Sequence, residues 1–348
     1  MAKRINKIQE FLDEKDIDAL LIKSKTVKKW MNTMTGSGCQ VLITKEHGYL
    51  IVDGRYITEA KEKEHDLEII LHNPHLTGRN YLGTVEEILK KENCKTLGVE
   101  AYQVLVKEYQ EIAHLRIVKE DEEIEAMKKS IAITDEIYQK VIDHIHAGMS
   151  EYEISALVQY YSIAAGAQQM SFDTIVATGE RTALPHGRPT SRKVKAHEPI
   201  MIDFGIQYQN YQSDMTRMCF IGEPDPKIKE IYDVVLKAQL AGLSAIKAGA
   251  KGKDVDKAAR DVIEDAGYGE YFNHGLGHGL GIGEDGEGPT LNSKSETVLQ
   301  EHMMMSCEPG VYVPGVGGVR IEDDVVIIDG VGVPLNKTTK DYIILEDK

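Results

Sequence analysis

The sequence predicts an α+β protein of two domains, and three observations carry that reading. Its 348 residues exceed what one hydrophobic core usually serves. Short apolar runs alternate with helix-like segments over residues 1–118, the pattern of an α/β module with a mixed or parallel sheet. Beyond that point a pair of helices followed by a β-hairpin occurs twice, which predicts a pseudo-symmetric α+β domain over residues 119–348.

The elements follow in order. Met1 to Ile22 reads as an amphipathic helix running into a strand. It is charged throughout and lacks the uninterrupted apolar stretch of a signal peptide. Asp18 to Ile22, Val41 to Thr44 and Tyr49 to Val52 are short apolar runs suited to buried strands, and Thr35-Gly36-Ser37-Gly38 and Asp53-Gly54 are the turns around them. Val85 to Glu92 reads as a helix, Leu97 to Val99 as a strand, and Val104 to Ala113 as a helix. The charged stretch Val118 to Glu123 opens a long helix, with Ile124, Met127, Ile131, Tyr138, Ile142 and Ile145 near helical spacing, and Gly148 stops it. The domain boundary is placed at its start. Ser150-x-x-Glu153 has capping-box spacing and opens the next helix. A hairpin is expected from Pro199 to Ile221, helices from about Lys227 to Gly249 and about Lys253 to Ala266, and a second hairpin from Met305 to Ile328.

Charge excludes some partners. With 56 acidic against 41 basic side chains and a net charge of −15, the chain has no electrostatic reason to hold nucleic acid or an anionic membrane. No apolar stretch reaches the length of a membrane span. The four cysteines, Cys39, Cys94, Cys219 and Cys307, are far apart and read as reduced thiols, so a cytoplasmic location is expected.

Both hairpins carry acids where an apolar strand would normally refuse them: Asp203 and Asp214 in the first, Glu308 and Glu322 in the second. Glu308 and Glu322 are equidistant from Gly315, inside the turn-rich Pro314 to Gly318. Directly opposed residues of an antiparallel hairpin place their Cβ atoms roughly 5 Å apart. Two buried carboxylates at that separation repel or take up a proton, and a cation between them removes the difficulty. Asp203 and Asp214 are expected to pair similarly, their register being left open. Edge or turn acids facing water are the bland alternative, which weakens when four acids fall on two hairpins, because Asp and Glu are seldom buried unpaired. The fifth element is Asn273-His274-Gly275-Leu276-Gly277-His278-Gly279-Leu280-Gly281-Ile282-Gly283. Alternate glycines let the backbone pass close to another group, and a neutral imidazole is a common metal ligand. No GxSxG elbow and no HExxH occurs, which argues against a serine hydrolase or a zincin.

At these residues the sequence resembles the metal-dependent Xaa-Pro peptidases, prolidase and aminopeptidase P, which share the pita-bread fold. The likeness covers nearly the whole chain. It is carried by Ser171-Phe172-Asp173-Thr174-Ile175-Val176, Ala183-Leu184-Pro185-His186-Gly187, Ile202-Asp203-Phe204-Gly205 and Ser213-Asp214-x-Thr216-Arg217. It continues at His274 to Gly279, Glu308-Pro309-Gly310-x-Tyr312 and Gly318-Val319-Arg320-Ile321-Glu322-Asp323, with Asp53-Gly54-Arg55-Tyr56 in the smaller domain. The resemblance implies a creatinase/prolidase-like α/β domain at 1–118 and a pita-bread catalytic domain at 119–348. It implies two divalent ions, with Mn²⁺ favoured over Co²⁺ or Zn²⁺. Asp203 would bind one ion, Asp214 and Glu322 both, and His278 and Glu308 the other. Glu308 would shuttle the proton of an activated water, while His186, His274 and Arg320 would bind the substrate, a proline-containing di- or oligopeptide. A homodimer is the family expectation.

The sequence departs from the family at three places. The usual HExP histidine is missing from Gly283-Glu284-Asp285-Gly286-Glu287-Gly288-Pro289, Trp30-Met31-Asn32-Thr33-Met34 replaces an aromatic-Leu-Thr-Gly-Phe segment, and His302 stands where Gly is usual. The first departure keeps open altered specificity or a non-catalytic peptide-binding role. A methionine aminopeptidase would normally lack the N-terminal domain, and a creatinase-like enzyme would lack the ligands.

Overall fold

The chain divides into two compact units, residues 1–108 and 109–348. A computed structural model describes residues 2–23, 27–28, 31, 33–63, 66–74, 80–99, 116–282 and 288–346. The helix expected at Val104 to Ala113, residues 30 and 32 of the departing segment, and the acidic stretch 284–287 lie outside the described residues.

In the first unit α1 (Ala2–Glu14) leads to β1 (Ala19–Ile22), β2 (Cys39–Thr44), β3 (Gly48–Val52), α2 (Ile57–Lys63), β4 (Glu68–Leu71), α3 (Tyr81–Lys91) and β5 (Leu97–Val99). The sheet order is β4-β3-β2-β1-β5, antiparallel in the middle and parallel at both outer pairs. The strand runs are apolar on both faces because both are covered. Val41, Ile43, Leu50 and Val52 pack with Ile5, Ile8 and Leu12 of α1, and Leu42, Tyr49 and Ile51 pack with Val85 and Ile88 of α3. The sequence reading missed α2 and β4. Glu68-Ile-Ile-Leu71 is a short, half-exposed strand following a charged run, so neither length nor alternation marks it. The turn glycines are spatially required: a Cβ on Gly38 would lie 1.9 Å from Asp53 Oδ2, and one on Gly36 would lie 2.4 Å from the Tyr56 ring.

The second unit opens with α4 (Asp121–Ile142) and α5 (Glu151–Ala164), then β6 (Gln169–Met170), β7 (Ile175–Thr178), β8 (Pro199–Phe204), β9 (Ile206–Tyr208), β10 (Tyr211–Gln212) and β11 (Met215–Ile221). The pattern returns with α6 (Pro226–Ala245), α7 (Gly252–Asp265), β12 (Met304–Cys307), β13 (Gly310–Val313), β14 (Gly317–Arg320) and β15 (Asp323–Ile328). Then β16 (Val331–Pro334) joins β15, and β17 (Ile343–Leu345) pairs with β11. The doubled helix pair and hairpin expected from the sequence are therefore present. Ser150 opens α5 through the expected capping box, its Oγ accepting from the Glu153 N–H at 3.2 Å while Glu153 accepts from the Ser150 N–H at 2.6 Å.

Strand alternation decides where the acids point. In the first hairpin Ile200, Ile202 and Phe204 pack with Ile137, Tyr138, Ile154 and Val158 of α4 and α5. That turns Met201 and Asp203 to the opposite face. In the second, Met305, Cys307, Val319, Ile321, Val325 and Ile327 pack in one cluster with Ile231, Val235 and Ala259 of α6 and α7. That leaves Ser306, Glu308, Arg320, Glu322 and Asp324 on the other face. Each hairpin thus turns its apolar side to its own helices and its acids toward the other hairpin.

Candidate metal centre

The second hairpin has the register inferred from its spacing. Cys307 pairs with Asp323 and Gly310 with Arg320, so Glu308 falls opposite Glu322. In the first, Asp203 lies opposite Thr216, not opposite Asp214. The turn centres on Gln209-Asn210, both with positive φ, and Asp214 falls opposite Gly205. Asp203, Asp214 and Thr216 nevertheless share a face. Gly205 is required here, since a Cβ would lie 1.7 Å from the Ser213 carbonyl oxygen.

Asp214, His278 and Glu322 each bring a ligand atom within 4.8 Å of the others. His278 Nε2 is 3.4 Å from Asp214 Oδ2 and 3.4 Å from Glu308 Oε1. Its loop is docked on β12: the Ser306 N–H donates to the His278 carbonyl at 2.8 Å, and the His278 N–H donates to Ser306 Oγ at 3.1 Å. Ser306 Oγ in turn donates to Glu308 Oε1 at 3.2 Å. His278 Nδ1 donates to the Gly279 carbonyl at 3.1 Å, which leaves the Nε2 lone pair of the neutral ring facing the carboxylates. On the other side Thr216 Oγ1 donates to Glu322 Oε2 at 2.7 Å and accepts from Arg320 Nε at 2.9 Å. Arg320 also donates to Asp203 Oδ2, to the Pro185 carbonyl at 3.0 Å and to the Tyr312 hydroxyl at 2.8 Å. Tyr312 then meets His274 Nε2 at 2.9 Å, while His274 Nδ1 donates to the Gly275 carbonyl at 2.8 Å.

These residues fit a cation. Asp203 Oδ1 and Glu322 Oε1 are buried with no hydrogen-bond partner among the described residues. Burial pushes the Asp203 carboxyl up to about 7, opposed by Arg320 and reinforced by the Asp214 and Glu308 charges. Burial and the Asp214 and Glu308 charges hold Glu322 well above the usual carboxylate range. Burial also raises Glu308, against the pull of His278 and Arg320. Dehydration works against a proton on His278, but its hydrogen bond to Asp214 and the Glu308 and Asp214 charges prevail and push the imidazole up to about 10. Divalent ions would supply the positive charge that protons supply here.

Two doubled helix–hairpin halves closing on a carboxylate–histidine centre define a metal-dependent enzyme fold. Residues 125–329 match the model of metallopeptidase family M24, and residues 4–129 match the creatinase/prolidase N-terminal domain. The chain is 37% identical to the Xaa-Pro dipeptidase of Pyrococcus furiosus, over 99% of this chain and 100% of that protein. A solved Xaa-Pro dipeptidase from Bacillus anthracis is 36% identical with a TM-score of 0.67, covering 99% of both chains. An X-Pro aminopeptidase from Thermotoga maritima is 34% identical with a TM-score of 0.66, over 95% of this chain and 98% of that one. The chain belongs to metallopeptidase family M24, in its two-domain form with a creatinase/prolidase N-terminal domain. It is a peptidase of the pita-bread fold, and family membership carries a requirement for divalent metal ions.

The structure brings Asp203, Asp214, His278, Glu308 and Glu322 into one cluster of direct and relayed contacts. Arg320 is buried and engaged by Asp203, Thr216, Tyr312 and Pro185. His186 is half-buried beside Pro185, whose carbonyl Arg320 holds. The sequence reading gave no role to Thr216 or Tyr312, which it quoted only within motifs, and did not single out Ser306 or Asp324. Strand parity was the available signal: Thr216 lies two residues after Asp214, and Ser306 two before Glu308, so each shares its neighbour's face.

Proposed function

We propose that this chain hydrolyses the Xaa-Pro bond of dipeptides or short peptides at two divalent ions held by Asp203, Asp214, His278, Glu308 and Glu322. The observation that carries this reading is the convergence of four carboxylates from both hairpins with His278 from the glycine-rich loop, the buried Asp203 and Glu322 oxygens lacking partners among the described residues. The oxygen-rich donor set suits Mn²⁺, with Co²⁺ or Zn²⁺ as substitutes. When bound, the ions lower the pKa of a water and polarise the scissile carbonyl. Glu308 would take a proton from water and deliver it to the departing prolyl nitrogen, a task suited to a carboxylate whose proton affinity burial has raised. Asp214 and Glu322, at the centre of the cluster, would contribute to holding both ions. Arg320 and Thr216 hold Asp203 and Glu322 in place.

His186 and His274 orient the substrate. With Nδ1 donating to Gly275, neutral His274 accepts at Nε2 from the Tyr312 hydroxyl. It becomes a donor toward a substrate oxygen as the imidazolium, or after exchanging tautomer. The four cysteines are all free, which supports a reducing, cytoplasmic setting. The test is metal analysis of the purified protein followed by assays on free and N-acetylated Xaa-Pro dipeptides and longer Xaa-Pro peptides. Cleavage that depends on added metal supports the reading. A fully metallated protein that cleaves no Xaa-Pro peptide leaves peptide binding without catalysis, or a different bond, in its place.

A further inference from the structure

Two adjacent aspartates on β15 have opposite surroundings. Asp323, facing away from the acid cluster, is neutralised by Arg217 Nη2 at 2.6 Å and Lys340 Nζ at 2.6 Å, and accepts from Gln239 at 3.1 Å. Asp324 faces the cluster, opposite Ser306 in the register and two rungs from the Glu308–Glu322 pair, hence on the same face. It is fully buried, and no Lys or Arg pairs with it among the described residues. Its Oδ2 accepts from the Asp214 backbone N–H at 2.9 Å, and its Oδ1 is buried without a partner among the described residues. Asn336 fixes Asp324 itself, its Oδ1 accepting from the Asp324 N–H at 2.7 Å. A carboxylate so placed costs the fold stability. Its contact explains its presence. Asp214 has just left β10 and is about to enter β11, so ladder hydrogen bonds flank it without including it, and the bond across from the other hairpin takes their place.

We propose that Asp324 is a positioning residue of the metal centre: by accepting the Asp214 N–H it fixes the backbone of a residue that would hold the metal. This inference rests on the assignment of Asp214 as a metal ligand. Residues behind the ligands typically change metal affinity by about 10–100-fold when removed. The experiment titrates metal-free protein with Co²⁺ alone, following visible absorption bands and calorimetric heats, in wild type, Asp324→Ala and Asp324→Asn, with Asp214→Ala as control. Asp324→Ala is expected to weaken binding by at least about tenfold and to alter the Co²⁺ bands. Asp324→Asn, whose carbonyl oxygen still accepts from the Asp214 N–H, is expected to restore both to near wild type. If Asp324→Ala does not fold, Asp324→Leu, which fills the space without an acceptor, replaces it. Wild-type affinity and bands in the Ala or Leu variant overturn the proposal. So does an Asn variant as weak as the Ala one, since that result assigns the effect to charge. Failure of the underlying site reading is separable, because wild type would then bind no Co²⁺ or Asp214→Ala would bind as wild type does.

Discussion

Thr216, on the first hairpin, bonds to two residues of the second, donating to Glu322, which lies 106 residues away, and accepting from Arg320. Strand parity places it on the face of Asp214, but nothing local reveals its partners on the other hairpin. Glu308 facing Glu322 was readable because one symmetric turn fixes both, whereas the register of Asp203 and Asp214 stayed open because Gln209-Asn210 is not a dipeptide that advertises its turn. Two outcomes belong to single residues. Asp214→Ala or Glu322→Ala is expected to abolish peptidase activity and to lose at least one equivalent of metal by elemental analysis, because the remaining carboxylates then repel. Either variant retaining two metals and full turnover reassigns the site. Glu308→Gln keeps the shape and one oxygen ligand, so metal should remain while turnover falls about 10²-fold or more, as for a lost general base. Near-normal turnover in that variant moves the proton shuttle elsewhere.

At the scale of elements, what the sequence revealed depended on how local the signal was. The Ser150–Glu153 box was legible from four consecutive residues, and the long apolar stripe of α4 from its period. β4 carried too few apolar residues to be seen, and the Arg320–Tyr312–His274 chain runs between elements. Ser150→Ala removes an acceptor for the Glu153 N–H and should cost about 1 kcal/mol, or about 2–4 °C in the melting of a unit this size. Glu153, held down to about 2 by the Ser150 hydroxyl, the Ser150 N–H and Lys193, contributes above the ordinary value of 4.5 and stops contributing as pH falls through about 2. The same hairpin logic makes Gly205 critical. Gly205→Ala forces its Cβ against the Ser213 carbonyl and should destabilise by about 1–3 kcal/mol while lowering metal occupancy, because Asp214 is the residue displaced. Unchanged metal content in a folded Gly205→Ala protein would show that the hairpin absorbs the methyl elsewhere.

Over the whole second unit, two pseudo-symmetric halves each supply half of a centre that neither could hold alone. The doubling was visible in the order of helices and hairpins, but the meeting of the acid faces was not, since it depends on how the two sheets pack. The metal-free unit consequently brings together charges that fold badly, and their proton affinities give a sign that can be checked. Asp203 is raised from 3.8 to about 7, so it costs nothing below about 4 and its penalty grows as pH rises toward 7. His278 is raised from 6.5 to about 10, so its contribution is complete below about 6.5 and is lost as pH climbs toward 10. Both shifts run the same way: across pH 4 to 10 these groups make the metal-free protein less stable as pH rises. Metal binding requires the deprotonated carboxylates and neutral imidazole, so its affinity rises over the same range. The increase in melting temperature on adding saturating Mn²⁺ should therefore be larger at pH 7.5 than at pH 5.5, and taking the difference between loaded and metal-free protein cancels titrations elsewhere in the chain. In Asp214→Ala the increment should be small at both values. An increment in wild type that is equal at the two pH values would mean that protons and metal do not compete for this cluster, and the assignment of these carboxylates and His278 as ligands would fall with it.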